Sequence, residues 1–152
     1  MKNILKLLAI LLIVTAIRIE SAYPANELFR SVASGNWNAT GTWQMSTNGG
    51  GTWIAATGAP TDTCGSITIQ GPNTVTVTVN VSADQIAMTS GGTISINTAI
   101  VFTIKDGSGE DLRMNPVSTI SGAGTVQTQG TDVTINVKNG SIFSTALKVN
   151  TG

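Results

Sequence analysis

The chain of 152 residues contains no histidine, a single cysteine and few charged residues, which make up 11%. The absence of histidine excludes a Ser/His/Asp triad, a Cys/His dyad and a histidine-ligated zinc site. The single cysteine, Cys64, excludes an intrachain disulfide, and we expect it to be a small core residue. The eight basic residues are balanced by eight acidic ones. No basic surface for nucleic acid is therefore predicted.

Residues 1–22 have the pattern of a secretory signal peptide. Lys2 and Lys6 precede an apolar run over residues 7–17, and this run is too short to span a bilayer. Ala22 is a suitable small residue for the cleavage site, and an uncleaved membrane anchor is the alternative. We expect a secreted protein or one displayed on the outer cell surface, with no membrane attachment after cleavage.

The remainder of the chain divides into two segments that differ in composition and in the pattern of apolar residues. Residues 23–64 are rich in Gly, Asn, Thr and Trp and have no sustained period, which is typical of a loop-rich segment with short strands. Residues 65–152 consist of short alternating apolar runs separated by turn residues, as in an all-β protein. The sequence thus predicts an N-terminal cap followed by a β-strand domain.

Residues 65–152 contain three imperfect repeats of three short strands, with a period of about 26 to 35 residues. One such repeat is too small to bury its own apolar face, so the repeats are predicted to stack as about three parallel rungs of a short right-handed β-helix, or β-solenoid. An antiparallel β-sandwich is the alternative, because evenly spaced short strands also suit that fold. The β-helix predicts three interior columns of side chains, which are Ile67, Ile94 and Val126, then Val77, Ile104 and Val137, then Met88, Met114 and Val149.

The tryptophan-containing segment resembles the N-terminal region of a family of large exported bacterial surface proteins. The motifs that carry the resemblance are Ser34-Gly35-Asn36-Trp37, Gly41-Thr42-Trp43, Gly51-Thr52-Trp53, Pro60 and Asp62, followed by an Ile-Thr-Ile strand and a Thr-Val-Thr-Val strand. The family comprises adhesin-like β-helix proteins that are often carried by the type IX secretion route, and the similarity covers roughly residues 29–114. It implies that the segment caps a longer solenoid whose repeats continue beyond residue 152.

Trp37, Trp43 and Trp53 are three of only seven aromatic residues in the chain. Their clustering indicates either a platform on which sugars stack, with these three as the glycan-binding residues, or a hydrophobic plug. The plug is favoured, because the end of a β-helix exposes strand edges and apolar columns that need covering.

Two groups of carboxylates are candidates for chemistry. The segment Asp106 to Asp111 holds three carboxylates and two glycines, which could wrap a calcium ion through oxygen ligands, although its spacing does not fit an EF-hand. An acidic turn between strands is the favoured interpretation. Two of the residues Asp84, Glu110 and Asp111 could also act as the acid pair of a glycosidase, but that hypothesis rests on an analogy of fold alone.

The sequence as a whole favours a non-catalytic structural or adhesive module of a secreted or cell-surface protein. The expected partner is a surface glycan or the surface of a host or neighbouring cell, and no cofactor or metal is implied. The alternative function is a carbohydrate-binding module, or a fragment of a polysaccharide lyase or hydrolase built on a β-helix.

Overall fold

A computed structural model describes residues 27–150 and shows an all-β chain arranged as a β-solenoid of about four turns. The predicted signal peptide, residues 1–22, lies outside the described residues. Within the described part, no helix is long and apolar enough to cross a membrane. Its regular elements are a 3-10 helix at Thr40–Thr42 and strands β1 (Leu28–Ser31), β2 (Gly35–Asn36), β3 (Trp43–Ser46), β4 (Ile54–Ala55), β5 (Ser66–Ile69), β6 (Thr74–Val77), β7 (Val81–Ala83), β8 (Ile86–Met88), β9 (Thr93–Ile96), β10 (Val101–Lys105), β11 (Leu112–Met114), β12 (Thr119–Gln129), β13 (Ile135–Val137) and β14 (Ile142–Lys148).

Each turn of the solenoid after the first contributes one strand to each of three faces, and the first turn contributes β1 and β2. The first face is a parallel ladder of β1, β5, β8, β11 and β13. The second contains β2, β6, β9 and the first halves of β12 and β14, and the third contains β7, β10 and the second halves of β12 and β14. The strands alternate apolar residues with Thr, Ser or other polar residues, so the apolar side of each strand faces the interior.

The interior columns follow from the strand register. On the first face Phe29, Ile67, Ile86, Leu112 and Ile135 are aligned, and the first four are 0 to 1% exposed. The second face aligns Val75, Ile94, Ile120 and Phe143, and the third aligns Val81, Phe102, Val126 and Leu147.

The predicted β-solenoid is confirmed, but two of the predicted columns are wrong. Ile67, Ile94 and Val126 lie on the first, second and third faces, respectively. The residues of the second predicted column, Val77, Ile104 and Val137, are likewise distributed over three faces.

Of the third predicted column, the pairing of Met88 with Met114 is confirmed, and the next residue in that column is Val137 rather than Val149. The predicted period is also too long, because the aligned residues Ile67, Ile86, Leu112 and Ile135 are 19, 26 and 23 residues apart. Residues 119–121 are a strand of the second face.

The antiparallel sandwich is not the fold, since successive turns pair in parallel. Within residues 27–150, antiparallel pairing is limited to the N-terminal segment, where β3 pairs with β1 and β4 pairs with β3. Strand β3 therefore extends the first sheet beyond β1, and β4 forms the edge of this sheet at the N-terminal end of the solenoid. The antiparallel pairing of β3 and β4 ends the parallel ladder of the first sheet at this point.

Candidate functional site

The outer face of the first sheet carries a row of polar side chains that points away from the core. The strand register aligns Arg30, Thr68, Ala87, Arg113 and Asn136 along this row. Neighbouring positions are about 4.8 Å apart, the spacing of hydrogen-bonded strands. The row therefore provides a rigid polar strip along the solenoid axis.

A depression interrupts this row at Ala87, whose methyl group lies between the longer side chains of Thr68 and Arg113. It has a volume of about 250 Å³. The residues that surround it are Ser66, Gln85, Ile86, Ala87, Ser108, Glu110 and Arg113.

The rim of the depression combines hydrogen-bond donors and acceptors. Arg113 Nη1 lies 3.7 Å from Glu110 Oε2, and both side chains are partly exposed. Asn136 Nδ2 donates a hydrogen bond of 2.6 Å to Glu110 Oε1, and Gln85 Nε2 donates to the Ser108 carbonyl oxygen at 3.1 Å. These contacts hold a guanidinium, a carboxylate and an amide around one small cavity.

Trp37 and Trp43 lie in the core, each 1% exposed. Their rings meet edge to face with centroids 5.1 Å apart, and the Trp37 ring also packs against Phe102 at 5.1 Å. Trp37 Nε1 donates to the Pro60 carbonyl oxygen at 3.0 Å, and Trp43 Nε1 donates to the Trp37 carbonyl oxygen at 2.7 Å. The structure thus places these two rings as a plug, with no ring face open to a sugar.

Trp53 has a different environment from the other two tryptophans. It is partly exposed, and Arg30 Cζ lies 4.3 Å from the centroid of its ring. Arg30 also donates two hydrogen bonds, of 2.8 and 3.1 Å, to Gln44 Oε1. Trp53 is therefore the one of the three predicted glycan-binding residues that borders the outer face of the first sheet.

The carboxylates of the acidic turn are bonded mainly to backbone amides. The buried Asp111 accepts hydrogen bonds from the amides of Gly107 at 2.8 Å and Thr134 at 2.6 Å. Asp106 Oδ2 accepts from the amides of Thr131 and Asp132, both at 3.1 Å. Within residues 27–150, no group of three or more acidic or thiol side chains is arranged to hold a metal ion.

The three carboxylates considered for catalysis are divided between two locations. Asp84 is brought against Asp111, whereas Glu110 is turned toward Arg113 and Asn136. Both oxygens of Asp111 are occupied by backbone donors, and its side chain is fully buried. Asp111 therefore has no oxygen free to meet a substrate in this arrangement, and its contacts fix the turn between successive rungs.

No protein-family model, curated protein or solved structure matches this chain.

Asp84 makes the stability of the protein depend on pH. Burial, followed by the neighbouring Asp111 and Asp106 carboxylates, raises the pKa of Asp84 to about 6, although the Gln85 amide bonded to it has the opposite effect. The unfolded chain titrates this group near pH 4. The native state therefore retains a proton that the unfolded state loses, and the free energy of unfolding decreases as the pH rises from about 4 through 6.

Replacing Asp84 with asparagine should remove this decrease in the free energy of unfolding at higher pH. We expect Asp84→Asn to stabilise the protein by about 1 kcal/mol at pH 7.5 and to be nearly neutral at pH 4, the value being kept small because the side chain is partly exposed. Urea unfolding at the two pH values measures the difference. Asp132→Asn, at an exposed carboxylate of the same region, is the control, and an equal effect in both variants would contradict the assignment.

The last rung leaves its apolar columns uncovered. Met88 and Met114 are fully buried, whereas Val137, the next residue of their column, is 47% exposed. Val126 is fully buried, whereas its neighbour Leu147 is 48% exposed. Among residues 27–150, the outer edges of β13 and β14 have no strand paired to them. Within the described residues, the apolar columns of the last rung are therefore less buried than those of the rungs before it.

Sequence reasoning missed the depression and the residues Ala87, Gln85 and Ser66 that help to form it. Arg113 was not predicted to be part of a cavity either. A small residue in an outward position between Thr68 and Arg113 is a recognisable signal once Ala87 is aligned with them. The predicted repeats aligned Met88 with Met114, and therefore Ala87 with Arg113, but they placed Thr68 in a different column, so the signal was hidden.

Proposed function

We propose that the chain is a non-catalytic structural and adhesive module of a secreted or cell-surface protein, and that the last described rung takes up a further strand, either from following repeats or from a second chain. The leader at residues 1–22 supports export, and the tryptophan motifs support a relationship to adhesin-like β-helix proteins. N-terminal sequencing of exported protein tests the first of these points. Protein that is retained in the cell with residues 1–22 intact would contradict export.

The open last rung is the observation that carries this proposal. Half of the exposed large apolar side chains in residues 27–150 belong to this rung, namely Val137, Ile142, Leu147 and Val149. An unpaired strand edge next to exposed apolar side chains is a template for adding another strand. Strand addition buries the apolar columns and satisfies the backbone groups at once, which suits a module whose role is attachment and not chemistry.

Charges on the last rung should abolish attachment. We expect the full chain to self-associate in a concentration-dependent way, because the open rungs of two copies can cover one another. The double variant Val137→Lys/Leu147→Lys should remain monomeric, since an ammonium at each position opposes both apolar burial and close approach of a second edge. Sedimentation velocity over a hundredfold range of concentration measures the difference.

The control for this experiment is Ile54→Lys/Val79→Lys. Ile54 is 52% exposed and Val79 is 45% exposed, but both lie outside the last rung. This variant should associate as the wild type does. A wild-type chain that stays monomeric throughout, or an equal loss of association in both double variants, would overturn attachment through the last rung.

A further inference from the structure

We propose that the depression over Ala87 is a binding subsite for one unit of a neutral oligosaccharide. The site lies on the outer face of the first sheet and does not depend on the role proposed for the last rung. It uses side chains that the packing of the solenoid does not require.

The size of the depression sets the class of ligand. Its volume of about 250 Å³ is below the range of roughly 300 to 1,000 Å³ that is usual for drug-sized molecules. A single sugar ring matches this size. Ala87 lines the depression with only a methyl group, so a ring can approach the sheet closely at this rung, while Ser66 lines it on the rung before and Arg113 on the rung after.

The chemistry of the rim fits sugar hydroxyl groups. Each hydroxyl both donates and accepts hydrogen bonds, and it is best met by side chains of both kinds. Arg113 supplies donors, Glu110 supplies acceptors, and the amide of Gln85 supplies one of each. The contacts of Glu110 with Arg113 and Asn136 hold its carboxylate in place before a ligand arrives, which lowers the cost of ordering the site.

The charge around the depression selects a neutral ligand over an acidic one. Arg113 is accompanied by Glu110 on the rim and by Asp84, Asp106 and Asp111 in the adjoining turn. The carboxylates outnumber the single guanidinium. An anionic sugar would therefore meet a repulsive field at this point.

Trp53 provides a second contact for a longer chain of sugars. Arg30, which packs on the Trp53 ring at 4.3 Å, lies two strands from Ala87 along the same sheet. Two strand spacings correspond to about 10 Å. An oligosaccharide that runs along the solenoid axis from the depression therefore passes toward the indole, and the part of the ring that Arg30 does not cover can contact the apolar face of a sugar.

Isothermal titration of the full chain with neutral pentasaccharides of glucose, xylose and mannose tests this site, with pentagalacturonate as the acidic comparison. We expect at least one neutral probe to bind, and the acidic probe to bind more weakly. Ala87→Leu fills the depression from the outside and should weaken binding at least tenfold. Arg113→Met, which keeps the side-chain length but removes the donors, should also weaken binding, so the test does not rest on the folding of a single variant.

Thr103→Leu is the matched control, because Thr103 is an outward-facing position in the middle of a strand on the third face. It should bind as the wild type does, and circular dichroism checks that all three variants keep their β-structure. The proposal is overturned if none of the neutral probes binds, if pentagalacturonate binds most tightly, or if folded Ala87→Leu and Arg113→Met retain wild-type affinity.

Discussion

Replacing Trp37 with alanine is expected to lower the free energy of unfolding by about 4 kcal/mol, because truncation of a fully buried aromatic ring leaves a large cavity. The lost ring contacts both Trp43 and Phe102, so the cavity would separate the N-terminal cap from the interior of the solenoid. The variant also loses the hydrogen bond to the buried Pro60 carbonyl oxygen, which adds the cost of an unsatisfied acceptor.

Urea unfolding followed by circular dichroism measures this loss, and Trp53→Ala is the matched control. Because Trp53 is partly exposed and lies on the outer surface, its replacement should cost about 1 kcal/mol or less. The plug interpretation of Trp37 would be contradicted if the two alanine variants were equally stable.

The second large effect is expected at Gly122, where β12 turns from the second face to the third. The strand register shifts between Ser121 and Thr125, and Gly122 has a φ of +112°, which side chains other than hydrogen rarely tolerate. A Cβ atom there would lie 2.6 Å from the Ile96 amide nitrogen and still closer to its carbonyl oxygen. Because backbone atoms of the preceding rung cannot move aside cheaply, we expect Gly122→Ala to cost about 3 kcal/mol or more.

Gly109→Ala separates the steric effect from the effect of the backbone angle. Gly109 has a similar φ of +98°, but a Cβ atom there would have no neighbour within 4 Å. Gly109→Ala should lower the free energy of unfolding by about 1 kcal/mol, because it carries only the cost of a positive φ and no steric clash. Equal losses of stability in the two variants, measured by urea unfolding, would show that the close approach of Gly122 to the Ile96 strand does not exist.

The sequence predicted the class of fold because alternation and short repeats follow directly from how strands stack. It could not predict which face each strand belongs to. Ser66–Ile69 and Thr93–Ile96 share the same alternation of hydroxyl and isoleucine, yet they lie on the first and second faces. Each face of a solenoid imposes the same alternating pattern, so similar sequences do not identify equivalent strands.

Successive turns of the solenoid also differ in length, so the sequence could not show which strands are equivalent. The segment that leads from Ile86 to Leu112 is seven residues longer than the one from Ile67 to Ile86, and no local pattern shows where the extra residues belong. Thr128 shows the consequence. In the repeat pattern Thr128 corresponds to Ile69 and Ile96, where a polar residue is unexpected. In the structure Thr128 pairs with Ile104, and its hydroxyl accepts a hydrogen bond from the Asn150 amide.

Prediction of the candidate site required the same alignment of strands. The residue types around it could be read from the sequence, and the acidic turn at residues 106–111 was identified. However, a depression between rungs exists only where a small residue is aligned with larger ones. Ala87 can form a depression only because it is aligned with the larger residues Thr68 and Arg113, which are 19 and 26 residues away in the chain.

Backbone nuclear Overhauser effects in isotope-labelled protein test the stacking of the rungs most directly. The structure predicts sequence-distant contacts between the backbone protons of Thr68 and Ala87, and between those of Ala87 and Arg113, in the pattern of parallel strands. The account would be contradicted by backbone contacts that instead pair Thr68 with Ser95, or by the close Hα–Hα contacts of antiparallel strands between successive rungs.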